Sequence, residues 1–286
     1  MKAGIIKVAG KSPVYGDFNE PVAGEGQELI TVNASALSQF SKSRSMSSHY
    51  SSSGTFPSVA GADGVGRTAD GRRVYFVLPE APYGAFAERT LVRSKQCVAV
   101  PGGLDDVTAA AIANPGMSAW AALVERAQMR TKERVLVNGA TGTAGRLAVQ
   151  LAKYLGASKV IAAGRNEREL QELRSVGADV LIPFTLGNSH PLGAKYYEQA
   201  LIAEFVDGID VVIDYLWGES AKTIIVAIEG GRGYTPCPLR ARRRSQSRGK
   251  PRTPGRCAPF VRHSVDGQRT EECSVPEAAR LDQHCL

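Results

Sequence analysis

The chain has 286 residues, room for about two domains at roughly 150 residues each. Its 43% hydrophobic and 22% charged residues describe an ordinary globular composition, and this length buries a sizeable core without disulfides or structural metals. The net charge of +7 comes from one end: residues 232–286 hold 12 Lys+Arg against 5 Asp+Glu, so residues 1–231 carry 23 of each sign. A surface built to coat nucleic acid would not confine its excess there, which argues against a nucleic-acid partner.

Cysteine divides the same way. Only Cys97 lies in residues 1–231, whereas Cys237, Cys257, Cys273 and Cys285 lie in the tail. One cysteine in that length suits a reducing compartment. The N-terminus soon meets Asp17 and Glu20 and does not read as a signal peptide. The most apolar stretch, residues 107–124, is interrupted by Asn114, Pro115 and Gly116, short of the ~20 residues a bilayer span needs. A cytoplasmic protein with no membrane partner is expected.

In chain order, residues 1–115 read as β-rich, with extended segments over 3–8, 29–36, 73–78 and 85–92. Turn signals separate them at Gly54, Pro57, Gly61, Gly64, Gly66, Gly71, Pro79, Pro82 and Gly84. The Ser-rich stretch 38–53, which holds His49 and Tyr50, reads equally as a flexible linker or an ordered, lid-like loop. From residue 116 strands and helices alternate. Strands are expected over 134–138, 159–163, 179–182 and 210–214; helices over 145–155, 167–176, 198–205 and 221–228. The first of these helices places Leu147, Leu151 and Leu155 on one face. Apolar strands alternating with amphipathic helices predict a doubly wound α/β domain with a parallel sheet over 116–231.

Its first strand runs into Gly139-Ala140-Thr141-Gly142-Thr143-Ala144-Gly145 and then a helix. Among 30 glycines the spacing alone is weak; strand, glycine turn, helix and second strand in succession give it weight. Glycine permits the tight turn and lets a diphosphate approach amides at the helix N-terminus, where the dipole favours anions. The bland alternative is a structural corner without a ligand. The second strand ends in Gly164-Arg165-Asn166, with no acid before Glu167. A carboxylate there would accept from ribose hydroxyls, whereas a guanidinium binds a 2′-phosphate. NADPH is therefore the expected cofactor, with Arg165 as phosphate ligand; the alternative is a solvated arginine at a helix start.

The segment VLVNGATGTAGRLAVQLAKYLGA resembles the cofactor loop of the medium-chain dehydrogenase/reductase superfamily, in its zinc-free quinone oxidoreductase branch. PSVAGADGVG, with Pro57, Gly61, Asp63 and Gly66, is similar to that superfamily's P-x3-G-x-E/D-x2-G turn, and DVVIDYLWG to the strand flanking the nicotinamide. The resemblance implies a GroES-like substrate domain (1–115) followed by a Rossmann domain (116–231) with the active cleft between them. It also implies hydride transfer from NADPH to a quinone or an activated enone or carbonyl; the alternative is a non-catalytic NADP(H)-binding protein. Zinc members carry Cys where Ser38 stands and His where Ala62 stands, and neither residue here is a zinc ligand, so no metal is expected. Quinone-reducing relatives often have Asn at Ser38 and Asp at Ser41; both are departures. Ser38, His49 and Tyr50 are the candidates for the substrate end, His49 being otherwise a surface imidazole and Tyr50 packing. Asn114 to Ser118 reads as a hinge, where the resemblance sets Ser118 against the nicotinamide ribose; the alternative is a helix N-cap. Asp214, Tyr215, Leu216 and Trp217 end the fourth Rossmann strand, where ligands collect, Trp217 being otherwise a core residue.

Residues 232–286 continue neither domain: 11 Arg against 1 Lys, 6 Pro, and no apolar run of helix or strand period. A disordered basic tail and a nucleic-acid arm are two readings, the second short of aromatics. A frameshift near residues 230–235 fits better. Back-translated from Arg256 with permitted codons and read one base later, the tail can spell AALRSSGI, MGSGQKSV and KLLDSINTV, the first two resembling the superfamily's C-terminal part. A sheet incomplete at its C-terminal strands leaves an apolar edge beside residues 210–214, lowering stability and activity. A family-like homodimer is expected only with an intact C-terminus.

Overall fold

The computed structural model describes residues 1–46, 54–187, 192–231 and 261–262. They fall into two compact units, Met1–Ala110 and a second that begins at Ala111.

In the first unit β1 (Lys2–Ile6), β2 (Val14–Asp17) and β4 (Ser58–Val59) form a three-stranded antiparallel sheet in the order β2-β1-β4. A five-stranded antiparallel sheet has the order β7-β3-β5-β6-β8. Its members are β3 (Gln27–Ala34), β5 (Asp63–Thr68), β6 (Arg73–Val77), β7 (Arg89–Arg93) and β8 (Cys97–Ala99). Ile30, Val74, Phe76, Ala85 and Val92 fill one side of it.

Strand β5 falls where Gly64 and Gly66 read as turn signals. These glycines serve close approach: a Cβ on Gly66 would lie 2.3 Å from Thr31 O on β3. The expected strand over 85–92 shortens to β7, because Ala85 N and Phe86 N donate instead to Gly61 O and Ala60 O, at 3.1 and 2.8 Å. Part of the Ser-rich stretch is helical, α1 (Gln39–Ser45). Ser38 caps it by accepting from Ser41 N at 3.0 Å, and Ser41 and Ser43 are buried. His49 and Tyr50 lie outside the described residues.

Helix α2 (Asp106–Trp120) corrects the N-cap reading, since Asn114 to Ser118 lie inside it. Pro115 has no N–H to donate, yet the helix continues because both its ends are anchored. Ala109 and Ala110 pack against Val65 in the first unit, and Ala119 joins the core of the second. A π-helical turn, Ala121–Arg126, follows, closed by Ala127 N donating to Ala122 O at 2.9 Å. Continuous helix from Asp106 to Arg126, 21 residues with an 18-residue window of mean hydropathy 1.3, is by length and composition the one described helix long and apolar enough to cross a membrane.

The second unit is a parallel sheet of order β11-β10-β9-β12-β13. Its strands are β9 (Arg134–Asn138), β10 (Lys159–Gly164), β11 (Val180–Pro183), β12 (Val211–Asp214) and β13 (Val261–Arg262). The order reverses between β9 and β12. Successive β9 residues point to opposite faces: Val135 and Val137 meet Ala148, Val149 and Ala152 of α3 (Thr143–Tyr154), while Leu136 faces the other side. There it packs with Leu201 of α5 (Gly193–Phe205) and Ile224 of α6 (Gly218–Gly231). Helix α4 (Glu167–Glu172) tightens into a 3₁₀ turn, Leu173–Val176. One strand falls in the tail, where no strand pattern reads from sequence: β13 pairs with Ile213 and Asp214, meeting backbone groups that an edge strand leaves open.

Leu136→Ala should destabilise the protein by about 2–5 kcal/mol, because a wholly buried side chain on a two-sided sheet leaves a cavity. A urea midpoint unchanged from wild type would contradict this packing.

Candidate functional site

At the carboxyl ends of β10, β9 and β12 the register sets Ala163, Asn138 and Asp214 side by side. The segments that follow, around Arg165, Gly139 and Tyr215, therefore emerge at one end of the sheet. This is where strand order reverses and where ligands bind in open parallel sheets.

Gly139 adopts φ +85°, and its amide and that of Ala140 both donate to Ala163 O at 2.9 Å, which ties the turn to β10. Gly145 is the close-packing glycine: a Cβ would lie 2.2 Å from Gly139 O and 2.6 Å from Ala140 Cα. Gly142 is the N-cap of α3 and offers no side chain. The first amide with an acceptor one turn back is that of Arg146, to Gly142 O at 2.8 Å. The amides of Thr143, Ala144 and Gly145 thus have no such acceptor, and Gly142 and Thr143 are exposed. Open amides at a helix N-terminus fit a diphosphate. Thr141 leans on Gly164, where a Cβ would be 3.0 Å from its Cγ2.

Past Gly164, Arg165 is exposed and forms no ion pair among the described residues. Asn166 is occupied differently. As N-cap of α4 it accepts from Glu169 N at 3.3 Å and donates to Glu169 Oε1 at 3.0 Å, so its side chain holds the helix start. Sequence reasoning missed Arg146, whose guanidinium donates to Thr141 O at 3.3 Å and pairs with Glu172 at 2.8 Å.

On the β12 side Ser118 donates to Pro115 O at 2.7 Å. The buried Tyr215 hydroxyl has no hydrogen-bond partner among the described residues; burial pushes its phenol up, opposed by the neighbouring Ser118. Leu216 packs on Gly139. Trp217, at φ +58° and 45% exposed, is not a core residue. Beneath it Asp214, expected at the ligand end of its strand, joins a buried polar group whose other members the sequence reading passed over: Asn138, Ser220 and Tyr197. Its one sequence signal was a polar residue closing each of two otherwise apolar strands.

In the first unit Ser38 and Ser41 border a cavity of about 280 Å³ lined also by Leu37, Met46 and Phe86. Ser38 Oγ donates to Ser41 Oγ at 3.2 Å. Behind them Asp63 is wholly buried and accepts from Tyr75 OH at 2.8 Å. Burial pushes the Asp63 carboxyl up, opposed by the Tyr75 and Ser41 hydroxyls. Burial and the Asp63 charge push the Tyr75 phenol up in turn. Among the described residues no group of three or more His, Cys, Asp or Glu side chains stands together to hold a metal ion.

An antiparallel β unit followed by a doubly wound parallel sheet with a glycine turn at its reversal point is the architecture of two-unit dehydrogenases. A family profile described as "Zinc-binding dehydrogenase" matches residues 144–231. The chain is 31% identical over 229 residues to the NADPH-dependent alkenal/one oxidoreductase, chloroplastic, of Arabidopsis thaliana. It is 31% identical over 228 residues to the 2-methylene-furan-3-one reductase of Solanum lycopersicum. Each match covers 74% of this chain and 55% of the relative, so the chain spans about half the length of these curated relatives. The quinone oxidoreductase of Thermus thermophilus, solved also with NADPH, superposes with a TM-score of 0.65 at 28% identity, covering 78% of this chain and 69% of that one. In sequence and in fold the chain is similar to members of the medium-chain dehydrogenase/reductase superfamily, quinone oxidoreductases among them.

Asp63 yields a pH prediction. A carboxyl whose folded value is raised above the ordinary 3.8 contributes stability below 3.8 and loses it as pH rises through the folded value. Asp63→Asn cannot ionise and escapes that loss. The Tm difference, variant minus wild type, should therefore grow from about pH 4 upward. Parallel Tm–pH curves would show that burial imposes no such penalty.

Proposed function

We propose that this chain binds NADPH at the end of the parallel sheet and, without zinc, passes hydride to a quinone or an activated enone or carbonyl. One observation carries the reading: open amides of Thr143, Ala144 and Gly145 at the start of α3 lie beside a β10 tip that presents Arg165 and no carboxylate. The helix start and its dipole hold the diphosphate. Arg165 supplies charge-assisted donors to a 2′-phosphate, and Glu167, already inside α4, leaves the guanidinium unopposed at the strand tip. Leu216, Trp217, Tyr215 and Ser118 form the wall toward the nicotinamide. When bound, the dihydronicotinamide supplies the hydride. Ser38, with its hydroxyl on the cavity of the first unit, orients the acceptor; His49 and Tyr50 are assigned to the same end.

Names of the relatives support this reading: two are reductases or oxidoreductases of alkenals, enones or furanones, and one structure is a quinone oxidoreductase solved with NADPH. The cytoplasm is the proposed compartment, supported by the single cysteine of residues 1–231. For the tail we propose the frameshift near residues 230–235, supported by the family match ending at residue 231 where the charge excess begins. It predicts an impaired enzyme, and a homodimer only in a frame-restored chain. An open +1 frame in the coding DNA supports it; a closed one rejects it.

Arg165→Glu should cut the preference for NADPH over NADH by about 10- to 100-fold, the worth of a charge-assisted pair of about 1.5–3 kcal/mol. Fluorescence titration with both nucleotides measures the ratio, and an unchanged ratio removes Arg165 from the site. A quinone and enone panel on the same protein then separates turnover from binding alone, the latter favouring a non-catalytic NADP(H)-binding protein.

A further inference from the structure

The ladder between β9 and β12 has four rungs. Val135–Val211, Leu136–Val212 and Val137–Ile213 are apolar; the last, Asn138–Asp214, is polar and buried. Asn138 Nδ2 donates to Asp214 Oδ1 at 2.7 Å and to Ser220 Oγ at 3.0 Å, while its Oδ1 accepts from Tyr197 OH at 3.2 Å. A carboxylate only accepts, so the amide must present its NH₂ to Asp214, and every polar atom of the Asn138 side chain is used. Asp214 passes the constraint on. Its Oδ1 accepts from Leu216 N at 3.0 Å, and its Oδ2 from Trp217 N at 3.1 Å. Ser220 donates to Trp217 O at 3.0 Å. Trp217 is thereby held at φ +58°, a conformation an L-residue rarely keeps unaided, and Leu216 is held against Gly139.

The other three rungs indicate that packing here does not require polarity, and a buried polar pair is weak evidence for stability. Its position gives it a purpose: it is the rung immediately before both the glycine turn and the β12–α6 turn. We propose that Asn138 and Asp214 are a positioning pair whose donor–acceptor match sets Leu216 and Trp217 against the glycine turn and so determines nucleotide affinity. The inference rests on the reading of that turn as the NADPH site.

Exchange of the pair tests it in the full-length chain. Asn138→Asp opposes two carboxylates, and Asp214→Asn opposes two NH₂ groups. The double variant restores the match with the roles exchanged. A carboxylate on β9 can accept from the amide now on β12 and from Tyr197, while the oxygen of that β12 amide, in the place of Oδ2, still accepts from Trp217 N; only Leu216 N, bonded in the wild type to the oxygen that faces Asn138, gives up its acceptor. Each single change should weaken NADPH binding at least about tenfold, and the double should return to within about threefold of wild type, with Tm recorded for all four proteins. Single variants that lose Tm but keep wild-type affinity would overturn the proposal, as would a double variant with wild-type Tm and no recovered affinity. If neither single variant folds, the double decides alone: wild-type affinity supports the pairing, and lost affinity in a folded protein rejects it. A wild-type chain that fails to bind NADPH instead overturns the dinucleotide reading, and this inference with it.

Discussion

The nearness of α3 to the end of β9 governs this molecule's site. At Gly145 the helix backbone comes so close to the turn that a Cβ would stand 2.2 Å from Gly139 O, inside any real contact distance. That approach is possible only without a side chain, and it brings the open first-turn amides to the mouth of the sheet. Two amides of the same turn are spent on Ala163 O, so the turn is anchored to β10 before any ligand arrives. Arg146 adds a brace from α3 to Glu172.

Around that junction two kinds of interaction divide the work. Apolar alternation along β9, β10 and β12 separates the two faces and stabilises the sheet without regard to ligands. Polar groups appear where the strands end: Asn138 and Asp214 at the rung before the turns, with Ser220 and Tyr197 completing their hydrogen bonds. The first unit repeats the theme once, in Asp63, a buried carboxyl against Tyr75 behind the serines of the α1 cap. Buried polar side chains stand near the candidate ligand positions in both units: Ser41 and Asp63 in the first, Asn138, Asp214 and Ser220 in the second.

Much of this was legible in the residues. Strand β9 and the glycine turn match the sequence reading, and α3, β10, β11 and β12 match within a residue or two, because apolar runs and four-residue spacing are local signals. Helices α5 and α6 began earlier than their apolar periodicity suggested. Misread elements had non-local causes. Gly64 and Gly66 resemble punctuation until β3 is seen lying against them, and Pro115 resembles a break until both ends of α2 are seen anchored. The Ser-rich run resembles a linker, yet Ser38 caps a helix whose Ser41 and Ser43 are buried.

What the amino-acid sequence determined by itself was the class of architecture, the place of the glycine turn and the absence of an acid after β10. Each follows from residue type and short-range spacing, which chain geometry converts directly into strand, turn and helix. Tertiary structure alone decided that Asn138 meets Asp214, 76 residues away, and that Asn166 is held by a helix cap while Arg165 is not. It also decided that Ser118 lies within α2, its hydroxyl donating to Pro115 O. Those pairings depend on register and on which faces pack together, and a hydrogen bond between distant residues leaves no periodic trace in the chain that makes it.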